Sequence, residues 1–119
     1  MLVELGSAAA VRSLQPDIRA IGKLDARGII VTAPGDRDGL DVVSRFFAPQ
    51  AGVDEDPVTG SAHCVIGPFW ADRLGRHRLV AEQASARGGI VRLHVRGDRI
   101  TLAGQAVTRW RGELLVDPT

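Results

Sequence analysis

The run Asp54-Glu55-Asp56-Pro57-Val58-Thr59-Gly60-Ser61-Ala62-His63-Cys64 gathers most of the groups in this chain that could do chemistry. Asp56 precedes Pro57, so its backbone is expected to be extended rather than helical. Thr59 stands where a helix N-cap belongs, its hydroxyl placed to accept from the first free helix amides. Gly60 has no side chain, so a ligand can come close to the main chain. The helix that follows begins with free N–H groups and the positive end of its dipole, a combination that attracts anions. A carboxylate beside that point, Asp56, could give or take a proton on whatever the amides hold.

Each of these residues also has a plainer reading. Asp56 could simply be an acidic residue favoured at a helix N-terminus. Gly60 and Ser61 initiate the helix, a role compatible with binding a carboxylate through their amides and the Ser61 hydroxyl. His63 is either a polar group lining the ligand site or a hydrogen-bonded structural histidine. Asp54 and Glu55 read as solvated loop charges. Cys64, one turn into an apolar helix, reads as a small hydrophobe. One cysteine and three separated histidines, His63, His77 and His94, do not have metal-ligand spacing, so no metal site is expected. The glycine pairs lack the Gly-Lys-Ser/Thr of a phosphate loop.

The segment Glu55 to Cys64 closely resembles the signature of the PhzF-like isomerase family of phenazine biosynthesis, and Gln83-Ala84-Ser85-Ala86-Arg87-Gly88-Gly89 resembles a second family motif. The resemblance runs in order from about residue 1 to about residue 115 and covers the carboxy-terminal half of a typical member. It implies one lobe of the diaminopimelate-epimerase-like fold: α+β, a mostly antiparallel sheet rolled around a central helix. The cleft between two such lobes holds the active site. The implied activity is a cofactor-independent proton shift on a small carboxylate-bearing metabolite, as in the isomerisation of a dihydro-hydroxyanthranilate. Asp56 is then the catalytic residue, with Thr59, Gly60, Ser61 and His63 at the substrate and Arg87 a candidate anion partner. Epimerases of this fold use one cysteine per lobe, but the corresponding position here falls near Asp56. The family's general base is usually a glutamate of the amino-terminal lobe, and this sequence has no position for it. A second lobe is therefore expected, from another chain or from a second copy. In the latter case two facing Asp56 carboxylates could share a proton. The alternative is a non-catalytic small-carboxylate binding module or a truncated remnant.

The rest of the chain must position that helix. Its 119 residues fit one domain, 1–119, and 45% hydrophobic residues suffice for a core. A net charge of +1 and 4% aromatics argue against a nucleic-acid binder. A single cysteine suggests a reducing compartment, and the sequence shows neither a signal peptide nor an apolar run long enough for a membrane span. The expected setting is cytoplasmic. Ser7 is placed to cap a short helix reaching Leu14, and Pro16 or Asp17 starts another over 18–24. Strands are expected over Gly28–Ala33, Leu40–Ala48, Leu79–Ser85, Ile90–Arg96 and Arg99–Ala103. Gly97-Asp98 forms a hairpin turn between the last two. A last strand is expected over Val107–Val116, with Trp110 packed. The main helix, 60–74, carries apolar residues nearly all round and so should be buried on all sides, with a kink or pitch change at Pro68.

Overall fold

A computed structural model of the chain describes residues 1–116. The element order is β1 (Leu2–Glu4), α1 (Ala8–Ser13), α2 (Ile18–Ile21), β2 (Ile29–Pro34), β3 (Val42–Phe47), a 3-10 turn (Pro49–Ala51), α3 (Gly60–Leu74), β4 (Arg78–Gln83), β5 (Gly89–Arg96) and β6 (Arg99–Ala103). The six strands form one sheet in sequence order. β1–β2 and β3–β4 pair in parallel, and the other three pairings are antiparallel.

A parallel pair needs a crossover connection, and here each crossover is a helical segment that covers one face. α1 and α2 link β1 to β2 and pack on the outer face, where Ala8 and Val11 meet Ile29, Val31, Val43 and Phe47. α3 links β3 to β4 and packs on the inner face, where Ala62, Ile66 and Trp70 meet Ile30, Val42, Phe46, Leu79 and Leu93. β2 and β3, covered on both faces, are almost continuously buried. β5 is half covered and alternates: Val91 and Leu93 are buried, while Arg92 and Arg96 are exposed. Both short helices begin at a side-chain cap, as expected of Ser7 for the first. Ser7 accepts from the Ala10 amide at 3.1 Å and Asp17 from the Ala20 amide at 2.9 Å. Gly97 turns the β5–β6 hairpin at φ 55°, with Arg96 opposite Arg99.

Three expectations are corrected. α3 is not buried on all sides: Ala62, His63, Ile66, Gly67, Trp70 and Ala71 face the sheet, but Cys64, Val65 and Leu74 are exposed. The sheet rolls against one side of the helix, and among the described residues nothing covers the other. α3 also runs through Pro68 as α-helix; the bond Pro68 cannot donate is missing on the exposed side, where the Cys64 carbonyl can meet water. The expected strand over 107–116 is absent, and Trp110 is 82% exposed rather than packed. The stretch has strand-like composition, but it does not add to the free edge of β6 and buries none of its large apolar side chains, so it lacks the packing that holds a strand.

One ion pair ties the layers together. Arg45, on β3, makes a bidentate contact with Glu55 at 2.7 and 2.9 Å. Its remaining nitrogen donates to the carbonyls of Val11 and Leu14 at the C-terminal end of α1. Glu55 is thus an anchored residue, not the solvated loop charge its position suggested. Removing one partner would strand the other charge, so Arg45→Ala is expected to destabilise the fold by about 3 kcal/mol. The exposed pair of Arg73 and Glu4 provides the contrast: Glu4→Gln should change stability by less than about 0.5 kcal/mol. Urea unfolding of both variants reads the difference.

Candidate active site

The motif loop enters α3 through a corner built around a buried amide. The Asp56 amide donates to the Phe46 carbonyl of β3 at 3.0 Å, which fixes the loop against the sheet. Gln83, at the end of β4, is 0% exposed and reaches across beneath the loop. Its Oε1 accepts from the Thr59 amide at 2.7 Å. Its Nε2 donates to the Asp56 carbonyl at 2.6 Å and to the Thr59 hydroxyl at 3.1 Å. Ser85 continues the clamp by donating to the Pro57 carbonyl at 2.8 Å and accepting from the Gly88 amide at 3.0 Å. A Cβ on Gly89 would lie 2.3 Å from Cγ2 of Val58, so the close approach of the two motifs requires glycine there. The second motif thus works as the mould for the first.

The helix start that results is open. Gly60 and Ser61 are exposed, and no side chain among the described residues caps the first turn. Thr59 is the N-cap residue, but its hydroxyl does not accept from the amides as expected. It donates to the Asp56 carboxylate instead, holding that side chain at the helix mouth. Thr59 is itself buried, so its role in this geometry is to position Asp56. Asp56 is half-buried.

Two arginines stand near this opening. Arg27 donates to the Ser61 hydroxyl oxygen at 2.7 Å. With a lone pair so engaged, the Ser61 O–H proton remains free to donate. Arg87 lines the same depression as Gly60, together with Val58, Gly88 and Gly89. Helix amides, a hydroxyl and two guanidinium groups around one helix start form a favourable environment for a carboxylate.

His63 sits elsewhere than at the surface of this opening. It is 0% exposed, and its Nδ1 lies 2.7 Å from the Thr59 carbonyl. A carbonyl only accepts, so Nδ1 carries the proton, and Nε2 is a buried acceptor without a partner. Of the two readings of His63, the geometry matches the structural one: it pins the first turn of α3. Burial pushes its pKa below the usual histidine value, and the Thr59 carbonyl opposes this more weakly. Cys64 is exposed, not the buried small hydrophobe expected, because it lies on the uncovered side of α3. Among the described residues no group of three or more His, Cys, Asp or Glu could hold a metal ion, and no helix is long and apolar enough to cross a membrane.

Arg27 and the clamp of Gln83 are the site features that sequence reading missed. Arg27 contacts Ser61 across 34 residues of chain with no local signal. Gln83 stood at the head of the second motif, but only the fold shows that its amide is the bridge.

Comparison with known proteins points to one family. The family model described as phenazine biosynthesis-like protein matches residues 1–112. An uncharacterized isomerase of Pseudomonas aeruginosa is 54% identical over 107 residues, 90% of this chain and 40% of the relative. One from Halalkalibacterium halodurans is 45% identical over 115 residues, 97% of this chain and 43% of the relative. The crystal structure of a phenazine biosynthesis PhzC/PhzF protein from Clostridium difficile superposes with a TM-score of 0.84 at 38% identity. That match covers 97% of this chain and 44% of that one. A PhzF-family structure from Enterococcus faecalis gives 0.82 at 40% identity, over 87% of this chain and 39% of that one. The chain spans less than half the length of the curated relatives it matches.

Two outcomes follow for the corner. Gln83→Leu keeps approximate volume but leaves the Thr59 amide and the Asp56 carbonyl without their partner. It is expected to cost about 2–4 kcal/mol in urea unfolding. The depressed His63 makes the unfolded chain bind a proton that the native state refuses. Stability is then full above pH 6.5, the ordinary histidine value. As the pH falls below it, stability should drop by up to roughly 1.4 kcal/mol per pH unit. Chemical unfolding between pH 7.5 and 5.5 should show this slope in the wild type and a flatter one in His63→Leu.

Proposed function

The chain belongs to the phenazine biosynthesis-like (PhzC-PhzF) family, and from that premise we propose that it is the anion-binding lobe of a cofactor-independent isomerase. Its substrate is a small carboxylate-bearing metabolite, and the reaction is a proton shift. The observation that carries this reading is the open, uncapped start of α3 with the Asp56 carboxylate held at its mouth by Thr59.

The chemistry follows from that geometry. The amides of Gly60 and Ser61 and the Ser61 hydroxyl receive the substrate carboxylate, and Arg27 and Arg87 add positive potential. A carboxylate bound at the positive end of a helix draws electron density from the adjoining carbon framework, which favours loss of a proton from that framework. Asp56 transfers the proton, and its rotamer is set in advance by the Thr59 hydroxyl. A shift that moves hydrogen from one carbon to another is helped by a second proton-handling group, and the helix mouth offers only Asp56 from this loop. A complementary lobe, on another chain or on a second copy, supplies the other group and closes the cleft. The exposed free thiol of Cys64 suits a reducing, cytoplasmic setting.

The lone carboxylate also favours a second reading, a small-carboxylate binding module without turnover. Proton exchange into dihydro-hydroxyanthranilate in D2O, followed by NMR, separates the two. The assay is run on the chain alone and mixed with an amino-terminal lobe from a relative. Turnover is expected in at least one of these, lowered by about 10²-fold or more in Asp56→Asn. Ser61→Ala should raise KM more than it lowers kcat. Calorimetric binding of the carboxylate with no exchange under either condition would leave only the binding module.

A further inference from the structure

α1 and α2 cover the outer face of β2 and β3 and reach β4 at Val80 and Glu82, but leave the outer face of β5 and β6 bare. That bare face is basic. Arg37, Arg76, Arg78, Arg92, His94 and Thr101 line one open groove of about 690 Å³ across it, a volume within the range of small-molecule sites. The sheet register explains the convergence. His94 is paired with Arg78 on one side and Thr101 on the other, and Arg92 lies two residues along β5 on the same face.

Not all of this charge is free. Arg37 pairs with Glu82 at 2.9 Å, and Arg76 pairs with Asp41. The Asp38 and Asp41 carboxylates also line the groove. Arg78 and Arg92 have no carboxylate partner among the described residues. Like charges placed side by side on one sheet face destabilise it, so the arrangement has an unmet demand for an anion. His94 sharpens that demand. Its Nδ1 accepts from Arg96 Nε at 3.0 Å, so the neutral ring carries its proton on Nε2 as a donor.

We propose that this groove is a second ligand site, which binds the phosphate group of a small molecule through Arg78, Arg92, His94 and Thr101. Two guanidinium forks, an imidazole N–H and a hydroxyl exceed what a two-oxygen carboxylate can accept, and they match a tetrahedral dianion. A near-neutral chain with few aromatics is a poor match for a nucleic-acid strand. The site does not depend on the isomerase reading: Arg78 lines this groove and not the depression at Gly60, whereas Arg92 borders both.

Partial burial, then Arg96, Arg78 and His77, hold the His94 pKa below its ordinary value. Arg92 lies on the same strand face, and Arg37, Arg76, Asp38 and Asp41 line the groove around it. A bound dianion would favour the imidazolium, so binding should raise the His94 pKa.

The test is NMR titration of the labelled 119-residue chain with inorganic phosphate and with pyrophosphate, at ionic strength held constant with chloride. Saturable shifts centred on His94 and Thr101, with an upward move of the His94 titration, are expected. Arg78→Ala and Arg92→Ala should each weaken binding about tenfold, Arg78→Lys should retain part of it, and Arg19→Ala on α2 should leave it unchanged. The spectra of the variants report directly that they remain folded. Shifts that do not saturate, or that chloride reproduces, would overturn the proposal. So would binding of anionic vesicles or single-stranded DNA without any response to phosphate or pyrophosphate.

Discussion

A buried carboxamide must find partners for its donors and acceptor, and the whole corner is arranged around that requirement at Gln83. Both N–H groups and the carbonyl of its side chain are satisfied by two residues of the opposing loop, Asp56 and Thr59. The requirement runs both ways, because the Thr59 amide and the Asp56 carbonyl would otherwise be left inside without partners. This exchange brings the end of β4 under the start of α3 and fixes the loop's path. It leaves the Thr59 hydroxyl facing Asp56. Among the described residues the first-turn amides of α3 then have no side-chain cap and open outward, the geometry on which the proposed anion binding rests.

Much of the scaffold was legible locally. Ser7 caps its helix as its type and position suggested, and Asp17, one of two candidates for the start of the next, caps that one, because a cap needs only a side-chain oxygen three residues before an amide. The Gly97-Asp98 turn and the alternation of Val91, Leu93 and Val95 against Arg92, His94 and Arg96 were legible for the same reason. The α+β class and the place of α3 on the sheet followed from the motif. What failed was what depends on distant partners. An apolar circumference on α3 predicted complete burial, but burial depends on how many elements surround a helix, and here only the sheet does. Val107, Trp110, Leu114 and Leu115 compose a passable strand, but they find nothing to pack against and leave the edge of β6 unpaired. Thr59 had two neighbours able to take its hydroxyl, and sequence alone pointed to the helix amides when the carboxylate holds it.

Charge shows the same limit. A net charge of +1 suggests an even surface, yet the structure sorts the charges by face. Arg12 and Arg37 converge on Glu82, whose carboxyl is held below its ordinary range chiefly by the hydrogen bond from Arg12. Arg45 turns inward to Glu55 and the carbonyls at the end of α1. An arginine among Val43, Phe46 and Phe47 on a strand was the clue, since a guanidinium in such company needs a counterion. A few positions away, Arg78 and Arg92 are left uncompensated. Whether an arginine braces the structure or waits for a ligand is decided by register, to which composition is blind.

The Asp56 amide donates to a carbonyl of β3, and β3 lies in the middle of the sheet with helices on both of its faces. Resistance to local opening should therefore fall away from β3 toward the outer strands, with β6 the first to fray. The acid of the site is tethered to the most durable part of the molecule, while Gly60, Arg87 and Gly88 lie toward its looser margin. A ligand could thus find one wall of the site stiff and the other yielding, so that a substrate's acyl group can settle into place without disturbing the residue that would handle its proton.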